Sequence, residues 1–176
     1  MKVQDVMTRN VAACGVDESL NRAAQLMWEC DCGSIPVLDA SGSVCGMLTD
    51  RDICMAAYTQ GLPLTQIPVR NVMSPHLHAC RPEDSLEDAQ ALLQQHKVRR
   101  APVLDGNRLV GILSLGDLVL RSPQHARKEA GLRPEALLQT LVVISTPSGD
   151  VTAERDRVAR EDTASPHASR NGGGAA

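Results

Sequence analysis

The chain has 176 residues, a formal net charge of -3 and 43% hydrophobic residues, a composition typical of a folded globular protein. The mild acidity and the near absence of aromatic side chains, with one Trp, one Tyr and no Phe, argue against a nucleic-acid partner. No apolar run approaches the roughly twenty residues that span a bilayer, and no signal-peptide pattern is present. We therefore expect a cytoplasmic protein without a membrane partner, whose six cysteines are reduced thiols.

The first predicted elements along the chain are a helix, a β-hairpin and a second helix. The first helix is predicted after Ser19, because the apolar residues that follow recur at helical spacing: Leu20, Ala23, Ala24 and Met27. Two short apolar runs, 35–38 and 44–48, flank a Gly-containing turn at 39–42, which predicts a hairpin. Residues 52–57 then have the composition of a helix start.

The same order of elements returns in the second part of the chain. A shift of 66 positions, or of 65 after one deletion near Ser41, aligns the two parts. Ser85, with Asp88 three residues later, begins the equivalent helix in a capping-box-like arrangement, and 101–104 and 109–113 form the equivalent hairpin. Matching pairs include Val6 with Val72, Met7 with Met73, Cys14 with Cys80, Pro36 with Pro102, Gly46 with Gly111, and Asp52 with Asp117. The chain is therefore a tandem duplication, and we expect strand, helix, strand, strand, helix in each copy.

The sequence changes character after the second copy. The stretch 134–141 begins with Pro and carries apolar residues on one side, which predicts a short helix. From residue 146 onward the sequence is polar, and we expect disorder there. The predicted organisation is a first repeat at 1–60, a second repeat at 61–122, a C-terminal extension at 123–145 and a tail at 146–176.

Linked motifs occur in both copies and in the same order. They are Val-Met-Thr/Ser at the start, a Ser-Leu helix start, Pro-Val-Leu-Asp in the hairpin, and Gly-apolar-apolar-Thr/Ser-x-x-Asp at its end. Over residues 1–122, the chain resembles a tandem pair of cystathionine-beta-synthase-type (CBS) domains, also called a Bateman module. The resemblance implies a mixed α+β fold of two β-α-β-β-α repeats packed with pseudo-two-fold symmetry.

The last of these motifs is the predicted ligand site. A hydroxyl at a helix N-terminus, where backbone N–H groups lack partners, suits a phosphate, and an acceptor-only carboxylate suits the two hydroxyls of a ribose. In the family that the chain resembles, the Thr/Ser and Asp hold the phosphate and ribose of an adenosine ligand, and the apolar-x-Pro strand reads the adenine. The residues implied are Thr49 and Asp52, Ser114 and Asp117, with Ile35 and Val37, or Ala101 and Val103, flanking the adenine.

A purely structural alternative exists for both motifs. Thr49 and Ser114 would then cap the helices that follow, with Asp52 and Asp117 as partners of the helix dipole. We favour ligand binding, because capping alone does not require the same Gly-to-Asp spacing in both copies.

The two predicted sites differ in charge. Arg99 and Arg100 precede the second hairpin, whereas 31–34 at the equivalent place contains no basic residue. Basic side chains there would neutralise phosphates, and the family architecture places them at the cleft that uses Asp52. The alternative is that both arginines form solvated salt bridges at a dimer surface.

One further cluster is weighed as a metal or redox site. In a strand, His76, His78 and Cys80 project to one face, and Cys14 is the candidate fourth ligand through the internal symmetry. We expect no metal there, because a matching second pair is missing, and we expect the thiols to fill apolar gaps.

The chain lacks a P-loop, a nucleophile elbow and a Gly-rich dinucleotide fingerprint, and we expect no enzymatic activity. The leading hypothesis is a stand-alone sensor that binds AMP, ADP, ATP or S-adenosylmethionine between the repeats, requires no cofactor, and signals to an unidentified protein target. A homodimer is expected from the family resemblance. The alternatives are a metal- or thiol-based redox sensor and a ligand-free dimerisation module.

Overall fold

The computed structural model describes residues 1–125 and 134–146, apart from the side chains of 122–125 and 134, and it combines six α-helices with two small sheets in this part of the chain. Residues 147–176 of the predicted tail lie outside this description. The elements in chain order are α1 (Val3–Val6), β1 (Cys14–Gly15), α2 (Leu20–Glu29), β2 (Ser34–Leu38), β3 (Val44–Thr49), α3 (Asp50–Gln60), two 3-10 turns (Leu64–Gln66 and Val69–Asn71), α4 (Leu86–His96), β4 (Arg100–Asp105), β5 (Arg108–Ser114), α5 (Leu115–His125) and α6 (Pro134–Ser145).

The helices α2 and α4 begin where the sequence predicts. The Ser19 hydroxyl accepts a hydrogen bond from the Arg22 amide at 3.4 Å, and the Ser85 hydroxyl accepts one from the Asp88 amide at 3.0 Å. Each serine therefore satisfies a backbone donor that the first turn leaves without a partner. The faces that these helices bury are Leu20, Ala23 and Met27 in α2, and Leu86, Ala89 and Leu93 in α4.

Both predicted hairpins are confirmed, but the two copies differ in their first strand. In the first copy β1 runs parallel to β2, with Cys14 opposite Val37, and the Val16 amide donates to the Leu38 carbonyl at 2.8 Å. In the second copy this strand is reduced to one parallel bridge, between Cys80 and Val103. The position equivalent to Val16 is Pro82, which has no N–H to extend the ladder.

The segment that precedes each copy packs on the other copy. At the N-terminus, the Val3 amide donates to the Asp84 carbonyl at 2.9 Å, so α1 lies on the second copy. Between the copies, the Val69 amide donates to the Glu18 carbonyl at 2.8 Å, so the second 3-10 turn lies on the first copy. The two copies are therefore joined by a reciprocal exchange of their leading segments.

Each of the two hydrophobic cores combines residues of one copy with residues from the leading segment of the other. The first core contains Cys14, Leu20, Ala23, Met27, Ile35, Val37, Leu48, Ile53, Ala56, Ile67 and Val69. The second core contains Val3, Val6, Met7, Cys80, Leu86, Ala89, Leu93, Ala101, Val103, Leu113, Leu118, Leu137 and Ile144. Because each core contains residues from both copies, separating the copies would expose apolar surface in each.

The predicted C-terminal helix is confirmed as α6, and it packs on α4 through buried polar contacts. The amide groups of Gln90 and Gln94 donate to the Thr140 hydroxyl at 2.6 and 2.7 Å, and Thr140 is fully buried. Residues 1–144 form one compact unit. Within the described residues, no helix has the length and apolar character needed to cross a membrane.

Candidate functional site

The two hydroxyl–carboxylate pairs have nearly identical geometry at the N-termini of α3 and α5. The Thr49 hydroxyl and amide donate to Asp52 Oδ2 at 2.7 and 2.9 Å, and the Asp52 amide donates back to the hydroxyl at 3.2 Å. The hydroxyl and amide of Ser114 donate to Asp117 Oδ2 at 2.6 and 2.9 Å, and the Asp117 amide donates back at 3.1 Å. The capping interaction is therefore present in both copies, and it fixes one oxygen of each carboxylate.

The glycine of each motif allows a close approach of the leading segments. A Cβ on Gly46 would lie 2.6 Å from the Ser74 backbone oxygen, and one on Gly111 would lie 3.0 Å from the Thr8 backbone oxygen. Thr8 and Ser74 occupy equivalent positions in the Val-Met-Thr/Ser motif. The glycine of the Gly-apolar-apolar-Thr/Ser-x-x-Asp motif in one copy therefore packs against the Val-Met-Thr/Ser motif of the other copy. The sequence alone does not reveal this contact.

The second oxygen of the carboxylate differs between the copies. Asp117 Oδ1 accepts from the Thr8 hydroxyl at 3.4 Å and lies 3.4 Å from Arg121 Nε, and Asp117 is only 9% exposed. Asp52 is half-buried, and the residue equivalent to Arg121 in its helix is Ala56. Sequence reasoning missed Arg121 and Thr8, although the spacing of four residues between Asp117 and Arg121 on a helix is a recognisable signal.

The apolar residues predicted to flank adenine have fully buried side chains. Ile35 and Val37 belong to the first core, and Ala101 and Val103 belong to the second. The exposed fraction is 0% for each whole residue, backbone included, so these four positions offer no open surface in this structure.

Arg100 reaches from the second copy to the first. Its Nη1 donates to the Ser34 hydroxyl at 3.3 Å, and these two residues occupy equivalent positions in the duplication. Ser34 lies opposite Thr49 in the hairpin of the first copy, so the guanidinium lies next to the strand that carries the Asp52 pair. Arg99 is exposed, and neither arginine forms an ion pair within the described residues.

Two surface cavities are lined by residues outside the hydroxyl–carboxylate pairs. One of about 320 Å³ is lined by Cys80 and the turn of the second hairpin, and one of about 390 Å³ lies between α2 and α3 and includes Gly33 and Asp50. A Cβ on Gly33 would lie 3.5 Å from Arg100 Nη1. The larger cavity therefore ends beside Arg100 and the N-terminus of α3, although neither cavity is lined by the hydroxyl–carboxylate pairs.

The candidate metal ligands do not come together. Cys14 lies in the first core and Cys80 in the second, and burial raises the pKa of each thiol to about 11, which disfavours the thiolate that binds metal. His78 stacks on His96 with ring centroids 3.6 Å apart, and its pKa is lowered mainly by desolvation, with smaller effects from His96 and His76. Among residues 1–125 and 134–146, no group of three or more His, Cys, Asp or Glu side chains is arranged to hold a metal ion.

Comparison with protein families gives two matches in tandem. The model described as "CBS domain" matches residues 3–58 and again residues 69–123. The CBS domain-containing protein YhcV of Bacillus subtilis (strain 168) is 44% identical over 129 residues, which cover 73% of this chain and 89% of YhcV. The similarity therefore extends over nearly the whole of that relative.

Solved structures show the same architecture. The crystal structure of CBSX2 in complex with AMP has 30% sequence identity and a TM-score of 0.62, and the match covers 70% of this chain and 97% of CBSX2. Hypoxic Response Protein I, whose crystal structure has two coordinated zinc ions, has 30% identity and a TM-score of 0.63, with 69% and 98% covered. One protein with this architecture and similar extent is thus seen with an adenine nucleotide, and another is seen with zinc.

Proposed function

Because the chain belongs to the CBS domain family and carries two tandem copies of the domain, we propose that it is a regulatory module that binds an adenosine-containing ligand between the copies. The complex of CBSX2 with AMP supports this ligand class. In this proposal the chain has no catalytic role of its own and requires no cofactor. AMP is the first ligand to test, and ADP, ATP and S-adenosylmethionine are the alternatives.

The geometry of the Asp52 pair is the observation that carries the proposal. Thr49 holds Asp52 Oδ2 through two hydrogen bonds, which orients the carboxylate and leaves Oδ1 to accept from vicinal ribose hydroxyls. The same pair lies at the start of α3, an 11-residue helix whose N-terminus favours a phosphate. Arg100, which contacts Ser34 next to this pair, supplies a cation for the phosphate.

The proposed signal is a change in how the two copies are arranged. The Ser34–Arg100 contact joins equivalent positions of the copies, so a ligand bound beside it would favour one arrangement through differential affinity. We propose that a homodimer of the chain presents this arrangement to a protein target. We also assign the chain to the cytoplasm, where the six free thiols of the structure would remain reduced.

Calorimetric titration of the full chain with AMP, ADP, ATP and S-adenosylmethionine tests the proposal. We expect saturable binding of at least one of them, and at least tenfold weaker binding by Asp52→Ala, because hydrogen bonds to a charged group contribute about 1.5–3 kcal/mol each. Asp88→Ala is the matched control, since Asp88 has the same relation to the cap residue Ser85 at the start of α4.

Two results would contradict this function. Absence of saturable binding of all four compounds at about millimolar concentration, which corresponds to only about 4 kcal/mol, would favour a ligand-free dimerisation module. Stoichiometric zinc in the purified chain, together with a loss of function in Cys80→Ser, would favour a metal-based sensor.

A further inference from the structure

The two carboxylates of the motif differ in how many acceptor positions the chain itself already uses. A carboxylate has about four lone-pair positions. Thr49 uses two of them at Asp52, both on Oδ2, and within the described residues Oδ1 accepts no further hydrogen bond. At Asp117, Ser114 uses two positions on Oδ2, and the hydroxyl of Thr8 and Nε of Arg121 approach Oδ1.

Arg121 is held in this position by the leading segment of the chain. Its Nη1 donates to the carbonyl oxygens of Val6 and Met7 at 3.0 and 3.2 Å, and its Nη2 donates to the Thr8 hydroxyl at 3.5 Å. The guanidinium therefore joins the end of α1 to the Asp117 carboxylate. A ligand that enters this site has to displace a side chain with several partners, and these partners lose their donors when it leaves.

The first copy has no equivalent of this arrangement. Ala56 takes the position of Arg121, and its small side chain is buried in the first core. Arg100 does reach the first copy, but it contacts Ser34 and not Asp52. The internal duplication has thus diverged at the position of Arg121, whereas the position of Thr8 keeps a hydroxyl residue, Ser74, in the other copy.

We propose that Arg121 and Thr8 occupy the ribose-binding carboxylate of the second copy, so that each chain binds one adenosine ligand, at Asp52 and not at Asp117. This inference rests on the proposed function and adds its stoichiometry and its location. Arg121 is in this account the residue that closes the second site, and it does so from within the same chain.

The stoichiometry of AMP binding to the full chain, measured by calorimetry, tests this inference. We expect about one AMP per chain for the wild type and at least tenfold weaker binding for Asp52→Ala. Arg121→Ala opens the second site and binds about two AMP, and the double variant Asp52→Ala/Arg121→Ala binds about one. Arg108→Ala is the matched control, because Arg108 pairs with Asp105 on an exposed turn, and it keeps one AMP.

The outcomes separate this inference from the proposed function. Two AMP per wild-type chain would overturn the inference and leave the proposed function in place. One AMP that survives Asp52→Ala at full affinity would overturn the inference and the role of Asp52, and would leave only the regulatory binding of an adenosine ligand in place. These two titrations decide the matter even if Arg121→Ala does not fold. A folded Arg121→Ala chain that still binds one AMP would also overturn it, and no binding of any of the four compounds would contradict both proposals.

Discussion

Replacing Gly46 by Ala tests the close contact between the hairpin of the first copy and the leading segment of the second copy. The new Cβ would lie 2.6 Å from the backbone oxygen of Ser74 and 3.0 Å from Met73 Sδ. The Ser74 backbone cannot shift without cost, because it exchanges two hydrogen bonds with Met47, at 2.9 and 3.0 Å. The substitution therefore forces apart the leading segment of the second copy and the sheet of the first.

The expected cost combines overpacking with weakened hydrogen bonds. Overpacking costs about 1–3 kcal/mol, and each of the two backbone hydrogen bonds contributes about 0.5–1.5 kcal/mol. We therefore expect Gly46→Ala to lower the free energy of unfolding by about 2–6 kcal/mol, and the melting temperature by roughly 5–20 °C. Urea and thermal unfolding followed by circular dichroism measure both quantities.

Two other glycines provide graded controls. A Cβ on Gly111 meets mainly Met7 Sδ, at 2.5 Å, near the end of a flexible side chain that can move aside. We therefore expect Gly111→Ala to lower the free energy of unfolding by less than Gly46→Ala does. A Cβ on Gly116, in the first turn of α5, has its nearest neighbour at 3.5 Å, and Gly116→Ala should be neutral or stabilising by up to about 1 kcal/mol. If Gly46→Ala unfolds at the same denaturant concentration as Gly116→Ala, the proposed contact does not restrain the sheet.

Two further predictions concern buried groups. Thr140→Val leaves the side-chain amides of Gln90 and Gln94 without their common acceptor. We therefore expect the free energy of unfolding to fall by about 1–3 kcal/mol and amide hydrogen exchange in α6 to become faster. Unchanged exchange in α6 would contradict this prediction. Burial raises the pKa of Cys14 and Cys80 from 9.0 to about 11, so the folded state retains protons that the unfolded chain loses above about pH 9. The contribution of the two protonated thiols to the free energy of unfolding is fully present below about pH 9 and is lost as the pH rises towards 11. The urea midpoint should fall across this range, and a constant midpoint would refute it.

The parts of the fold that local sequence patterns control were predictable. The serines at 19 and 85 mark the starts of α2 and α4, and the Gly-containing turns mark both hairpins. The helix α6 also follows from its Pro start and its apolar spacing. These features depend on contacts between residues close together in sequence, which caps, turns and periodicity describe well.

Features that depend on distant contacts were not predictable. The exchange of leading segments places Val3 against Asp84 and Val69 against Glu18, and no periodic pattern indicates such a pairing. The loss of a full first strand in the second copy follows from Pro82, whose missing N–H matters only once its partner strand is known. The contact of Thr8 with Asp117 spans 109 positions and likewise requires the folded structure.

A crystal structure of the chain grown with AMP tests the central claim most directly. The account predicts one AMP per chain, with the ribose hydroxyls within about 3 Å of Asp52 Oδ1, the phosphate at the start of α3, and Arg121 still in contact with Asp117. Clear density for the nucleotide elsewhere, with Asp52 contacting only Thr49, would contradict it.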